Sequence, residues 1–408
     1  MTRTEKEAAA RLRRRFEERF GTVEERSLAL ASAPGRVELA GNHTDHQGGR
    51  TISTAIDRRM FALAAPNGTD EMHVIMEGFG EALVDVRDLE PRAEERGAST
   101  ALVRGMAAAY AREGGALRGF DAVTCSDVPS GCGVSSSAAF EMLMGMLIRA
   151  VCDEPGRDPN RGLVRLALDG SWAEAVYFGK PTGAQDQLAS AFGGIVALDF
   201  AGAAPQVSPV AFDVGASGHK LLLVDSRCDH ARHTDEFVAV PADMFAIARH
   251  FGRERLEDVP FASFLADLPA VRAELGDRAA LRALHYFEET RRVATQRRAL
   301  EAGDFPEFLS LARQSGASSA QFLQNVSPRA DGSGAEQPAM TVLALCAHLL
   351  GGRGAYRIHG GGFGGSVLAF VPEEEADAFR TRMDELLGYD ACLSVAIGAP
   401  GACAQRIA

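Results

Sequence analysis

The sequence has no surplus of positive charge. Its 408 residues carry 43 Lys and Arg against 55 Asp and Glu, a net charge of −12. Sequence-blind binding to DNA or to an anionic lipid surface draws on net positive surface, so neither is expected. No stretch approaches the ~18 apolar residues of a membrane-spanning helix. The opening residues Met1-Thr-Arg-Thr-Glu-Lys-Glu lead into no apolar core of a secretory signal. Glu5, Glu7, Glu17 and Glu18 are out of place in a transit peptide. The seven cysteines are odd in number and scattered, with no C-x-x-C pair. That pattern argues against a disulfide framework and for small buried hydrophobes in a reducing compartment. A cytoplasmic protein is expected. Repeats of solenoid period are lacking. So is a P-loop, because the only Gly-Lys, Gly179-Lys180, runs into Pro181.

There is ample apolar material, with 46% hydrophobic and 24% charged residues. At ~100–200 residues per domain the length suggests two domains. Ala8, Ala9, Leu12, Phe16 and Phe20 recur at helical spacing, which predicts an amphipathic helix over 5–20. Extended segments are expected at 27–39, 60–65, 73–76, 120–126 and 194–200, and helices at 100–113, from 136 and over 162–177. The small, Pro-containing stretch 202–208 suggests a boundary, giving domains 1–205 and 206–408. The second half reads as a strand at 220–225, helices at 240–251, 278–302, 305–315, 336–350 and 373–387, and strands at 355–359, 366–371 and 391–397. Strands and helices mix without regular alternation, which favours α+β over a doubly wound sheet. Asn325–Glu336 is polar and rich in Gly and Ser, and reads as a mobile loop.

Glycine is in excess, at 43 residues, and 17 of them fall in four short segments. Glycine lets backbone approach a ligand closely and adopt positive φ. The first segment, 34–49, concentrates Arg36, Asn42, His43, Asp45 and His46, side chains able to hold several hydroxyls at once, as a sugar requires. His43-x-x-His46 is alternatively half a metal site. The second, 128–139, is a turn entering a helix N-terminus, either a plain N-cap or a seat for phosphate, with Ser135, Ser136 and Ser137 as caps or as ligands of Mg²⁺. The third, 183–194, places Asp186 at a helix start, as a cap or as an acceptor of an alcohol proton. The fourth, 351–366, contains His359-Gly-Gly-Gly-Phe-Gly-Gly-Ser between two strands, a flexible hairpin or a loop over phosphates.

Taken in order, the four segments resemble the GHMP kinase superfamily and, within it, the galactokinase family. Arg36 through Gly49 is similar to the signature Gly-Arg-x-Asn-x-x-Gly-Glu-His-x-Asp-Tyr. Residues 128–139 resemble the loop Pro-x-x-x-Gly-Leu-Ser-Ser-Ser-Ala. Residues 183–187 resemble Gly-Ile-Met-Asp-Gln, and 355–365 resemble the third motif with Gly-x-Gly-Phe-Gly-Gly. The resemblance implies a two-lobed α+β GHMP kinase fold with mixed sheets, the active site between the lobes. Its N-terminal domain would hold the sugar signature and phosphate loop, its C-terminal domain the third motif. It implies an ATP-dependent 1-kinase for galactose, with Mg²⁺. Asp186 stands where the hydroxyl proton is accepted and Arg36 where transferring charge is stabilised. Asn42, His43, Asp45, Gly183 and Phe237 stand at sugar-binding positions. Gly131, Gly133, Ser135, Ser136, Ser137 and Gly362 stand at ATP-binding positions, and Ser137 and Glu174 at Mg²⁺ positions. The expected partners are sugar and ATP alone, in a monomer or small homo-oligomer.

The sequence also departs from the pattern. The signature Asn is Glu38, its Glu is Asn42 and its Tyr is His46. Residues 225–237 resemble the family loop ending in Ser-Glu-Tyr, with Phe237 where the Tyr contacts sugar. These changes keep open a kinase for another sugar, such as an amino sugar, a uronic acid or a pentose. Cys228, His230, His233 and Asp235 are an alternative metal set, although their spacing fits no standard zinc pattern. A non-catalytic sensor of sugar and ATP is disfavoured by the Ser137-Ala138 dipeptide, which such sensors lack. A mevalonate-type kinase would leave the sugar signature unexplained.

Overall fold

The structure is a computed structural model describing residues 3–22, 28–154, 156–180, 183–228, 233–327 and 336–407. The chain begins with α1 (Arg3–Phe20), β1 (Ala29–Ala40), β2 (Arg50–Pro66), β3 (Glu71–Met76) and β4 (Gly80–Asp85). It continues through α2 (Ser99–Arg112), β5 (Phe120–Ser126), α3 (Ser136–Cys152), α4 (Leu163–Ala173), α5 (Gln185–Phe192), β6 (Ile195–Asp199) and β7 (Gln206–Pro209). The second half is β8 (His219–Cys228), α6 (Thr234–His250), α7 (Phe261–Ala266), α8 (Leu268–Glu301), α9 (Phe305–Ser318), α10 (Pro338–Leu350), β9 (Ala355–Ile358), β10 (Gly365–Pro372), α11 (Ala376–Leu387), β11 (Cys392–Val395) and β12 (Cys403–Arg406).

Eight strands form one sheet, in the order β12-β1-β2-β5-β3-β4, with β6 and β7 branching from β2. Only β3 and β5 run parallel among these pairs. Four antiparallel strands, β11-β8-β10-β9, form the second sheet. The fold is thus α+β with mixed sheets, as expected. The large sheet draws strands from both sides of position 205, since β7 pairs with β6 and the returning β12 pairs with β1. Sheet strands therefore divide differently from the composition boundary at 202–208.

Alternation in α1 does what its pattern dictates. Leu12 and Phe16 are buried with Phe61, Leu63 and Val123 on one face of the large sheet. Helix α3 packs its Leu143, Met146 and Leu147 into the core on the other face. Each such side chain contributes about 1.5–3 kcal/mol of transfer free energy. A separate core of α6, α7 and α8 is built from Val240, Met244, Phe264, Ala283 and Tyr286.

Two differences from the sequence reading have physical reasons. Strand β2 is 17 residues long, far longer than 60–65, because it is flanked by β1, β5 and β6 and can therefore bury Thr51, Ser53 and Thr54. Asn325, assigned to a mobile loop, is fully buried, and its carbonyl accepts from the Phe363 N–H at 2.6 Å. Residues 328–335 of that loop lie outside the described residues.

Candidate active site

Strand β1 runs buried along its whole length, and it carries Arg36 and Glu38 two residues apart, hence on one face. Arg36 holds Asp186 with a two-pronged grip. Its Nε donates to Oδ1 at 2.7 Å and its Nη2 to Oδ2 at 2.6 Å. The Nη1 donates to the Gly133 carbonyl at 2.7 Å, so one guanidinium ties the first segment to the second and third. The Arg36 side chain is 4% exposed and that of Asp186 31%, leaving the carboxylate the open member of the pair. Burial works against charge on Asp186, but the attraction and hydrogen bonds of Arg36 outweigh it and hold the acid below its ordinary value. Burial likewise opposes charge on Arg36, and Asp186 more than restores it.

The second segment enters α3 through two glycines of positive φ, Gly131 at 78° and Gly133 at 72°, and through Ser135 at 53°. Ser135 sits at the N-cap position of α3, but its side chain makes no capping bond. Its hydroxyl donates to Asp186 Oδ2. The N-cap reading of this residue therefore gives way to a role at the acid. A left-handed backbone at a non-glycine residue is strain of the kind that collects at functional sites, and His43 at 55° and Phe363 at 56° share it. Ser136 opens the helix, and the Ser137 hydroxyl donates to Glu174 Oε1 at 2.9 Å.

Glu174 comes from a π-helical turn, Glu174–Phe178, that ends α4. Lys180 Nζ lies 3.6 Å from its Oε1. Gln187 Nε2 donates to Glu174 Oε2 at 3.2 Å and to the fully buried Glu141 at 2.8 Å. Burial pushes the Glu141 carboxyl well up, with Glu174 adding to it. Ser137 and Glu174 are hard oxygen donors side by side, which fits Mg²⁺ held jointly by protein and phosphate. Among the described residues no three His, Cys, Asp or Glu are grouped to hold a metal ion by themselves. His230 of the alternative set lies outside the described residues.

The sugar signature turns at Gly41, where φ is 93° and a Cβ would meet the Arg50 carbonyl at 2.4 Å. His43 Nε2 donates to the Gly361 carbonyl at 2.9 Å, which fixes its tautomer. Burial pushes His43 down to about 4 and His46 to about 3, so both rings are neutral at pH 7. The His46 ring lies 5.7 Å from His43 and 6.1 Å from Phe245. Asp45 abuts Gly183, and burial, with the charge of Asp186, pushes it up to about 7. Phe237 on α6 packs on Gly361 and stands 5.4 Å from the His43 ring. Gly362 fits against Asn325, where a Cβ would meet the carbonyl at 2.2 Å.

Asn42 departs from expectation. Its Nδ2 donates to Glu38 at 3.1 Å and to the Gly360 carbonyl. Its Oδ1 accepts from Asn325 at 2.6 Å and from Ser319 at 3.3 Å. Two donors and two lone pairs are all used, so the amide has no capacity left for a sugar hydroxyl. All four glycine-rich segments meet at this site. Sequence reasoning missed Gln185, Gln187, Asn325 and Arg357. The available signal was polar residues inside otherwise apolar strands and helix starts.

Residues 14–66 match the galactokinase galactose-binding signature and residues 101–194 the GHMP kinases N-terminal domain. The chain is 31% identical over 386 residues to a galactokinase of Streptomyces coelicolor, covering 91% of each. It is 29% identical to one of Glaesserella parasuis, again over 91% of each. The Lactococcus lactis galactokinase complexed with galactose superposes with a TM-score of 0.81 at 21% identity, covering 98% of this chain and 99% of that one. A mevalonate kinase shares the fold at a TM-score of 0.60 and 15% identity, over 90% of this chain and 98% of that one. The chain belongs to the galactokinase family of GHMP sugar kinases.

Proposed function

We propose that this protein transfers the γ-phosphate of ATP to the anomeric hydroxyl of galactose. The observation that carries the reading is the Arg36–Asp186 fork beside the phosphate loop, with Asp45 and Gly183 next to it. Phosphoryl transfer passes through a loose transition state, and catalysis is mostly positioning and charge neutralisation. Asp186, held ionised, accepts the hydroxyl's hydrogen bond and takes its proton as the phosphoryl group arrives. A loose transition state forms the new bond late, so a weak base suffices. Arg36 offsets charge on the transferring group while keeping Asp186 in place.

The α3 N-terminus and the backbone N–H groups of the loop at Gly131, Gly133, Ser135 and Ser136 suit the ATP phosphates. Gly362 closes from the other side. Ser137 and Glu174 would hold Mg²⁺, which when bound neutralises phosphate charge. His43, Asp45 and Phe237 line the sugar side. No helix among the described residues is long and apolar enough to cross a membrane.

A coupled assay with ATP and a panel of sugars tests the reading, with galactose phosphorylation expected. No turnover of galactose refutes the substrate, and full turnover by Asp186→Ala refutes the role of Asp186. A second reading, a 1-kinase for another sugar, is favoured by the spent amide of Asn42 and by Phe237, which has no hydroxyl. The same panel, read as kcat/KM, decides between them.

A further inference from the structure

Glu38 is a carboxylate sealed inside the protein, 2% exposed. Three side chains converge on it. Arg357, on β9 of the second sheet, donates to Oε1 at 2.7 Å. Asn42 donates to the same oxygen at 3.1 Å, and Gln185 donates to Oε2 at 3.0 Å. Arg357 is itself fully buried, and Glu38 is its ion-pair partner, while its Nε and Nη1 find no hydrogen-bond acceptor among the described residues. Loss of either Glu38 or Arg357 leaves the other as a buried, uncompensated charge.

Its placement relates it to the reaction. Arg36 and Glu38 share a face of β1. Gln185 and Asp186 are consecutive in the first turn of α5. Asp186 binds Arg36, and Gln185 binds Glu38. Two neighbouring residues of the helix are thus pinned to two same-face residues of the strand, a two-point clamp that fixes both the position and the rotation of the turn carrying Asp186. Three members of the cluster are also positions where the chain departs from the motif patterns given above: Glu38 for Asn, Asn42 for Glu, and Gln185 for Met. The acid and the amide have traded places, and the amide of Gln185 answers the relocated acid.

We propose that Glu38 is a positioning residue for phosphoryl transfer, orienting Asp186 through Gln185 and tying the second sheet to it through Arg357, with Asn42 and Gln185 as its matched partners. The proposal rests on Asp186 and Arg36 carrying the transfer.

The test uses the full-length protein and the variants Gln185→Met, Glu38→Gln, Glu38→Asn, Asn42→Glu and the exchanged pair Glu38→Asn/Asn42→Glu, the pair also with Gln185→Met. Gln185→Met removes one arm of the clamp without stranding a charge, so it is the variant that keeps its fold. Its kcat falls about tenfold or more while KM for ATP holds within about twofold, as expected for a misplaced acid. Glu38→Gln lowers kcat in the same way. The exchanged pair recovers much of what each single change loses, and in that background Gln185→Met costs little. Near-normal kcat in both Gln185→Met and Glu38→Gln overturns the proposal, as does an exchanged pair whose losses are the sum of the singles. If the unaltered protein phosphorylates no sugar, the functional reading fails by itself. Unfolding midpoints of the same cycle then decide the coupling, with non-additive shifts expected and additive ones overturning it.

Discussion

Asp45 occupies the space that a side chain at Gly183 would need. A Cβ built on Gly183 would lie 1.8 Å from the Asp45 Oδ2. The backbone ahead of α5 and the sugar signature are therefore in direct contact, and glycine is required for close approach. Gly183→Ala must push Asp45 or the start of α5 aside. Because a displacement of about 1 Å at a reacting centre can cost on the order of 10²-fold, kcat/KM for the sugar falls by that order. Steady-state kinetics beside an unfolding midpoint check it, and an active variant with an unchanged KM refutes it.

The same Asp45 gives stability a pH dependence of definite sign. Burial, reinforced by Asp186, pushes its carboxyl up to about 7. An acid raised in the folded state binds its proton more tightly there than in the unfolded chain. The folded protein thus loses stability as pH climbs from the ordinary carboxylate range to about 7, and the loss levels off above that. Asp45→Asn removes this slope. The midpoint of the variant relative to the unaltered protein should rise over that window. Asp186 has the opposite sign, since its depressed value contributes stability that is lost only as pH falls below the ordinary range. A midpoint difference that is flat with pH refutes the assignment for Asp45.

Much of this site was legible before any fold was known. The candidate site residues sit largely on glycine-marked turns, and glycine clusters are visible in a linear string. Arg36, Ser135, Ser137 and Asp186 stand out in that way, Glu174 follows only from the family resemblance, and the structure brings them together. What stayed hidden was the support behind them. Glu38 and Arg357 lie far apart in sequence, on different sheets, and only pairing across space turns two charges in buried strands into one cluster. The setting of Asn42 stayed hidden for the same reason, since nothing local reveals that Asn325 and Ser319 saturate its carbonyl. The short strands β7 and β12 carry too few residues for a pattern, and partners from distant segments make them strands.

Asn325 offers a test of that hidden support. Its side chain donates to Asn42 and its carbonyl accepts from Phe363, joining the sugar signature to the fourth glycine segment. Asn325→Ala removes the side-chain bond and leaves the Asn42 Oδ1 with only the longer Ser319 contact. One buried hydrogen bond contributes about 0.5–1.5 kcal/mol net, so denaturant unfolding should show a loss of that size. Asn325→Asp should be worse, because it presents an acceptor to an acceptor. A variant as stable as the unaltered protein refutes the role.

Two groups restrain the Asp186 carboxylate, and substitution can separate them. Ser135 donates one hydrogen bond, whereas Arg36 donates two and supplies the charge. Ser135→Ala keeps the ion pair, and the bond it loses contributes about 1.5–3 kcal/mol at most, since one partner is charged. A drop in kcat on the order of tenfold is expected, with Asp186 titrating somewhat higher. Arg36→Lys keeps the charge but not the fork. A lysine cannot grip both carboxylate oxygens and the Gly133 carbonyl in one plane. Its kcat should fall further than that of Ser135→Ala, by about 10²-fold or more, because both the orientation of Asp186 and the link to the phosphate loop are lost. Measured at saturating ATP and sugar, the reverse order of the two losses would show that charge alone, and not the bidentate geometry, sets the position of the acid.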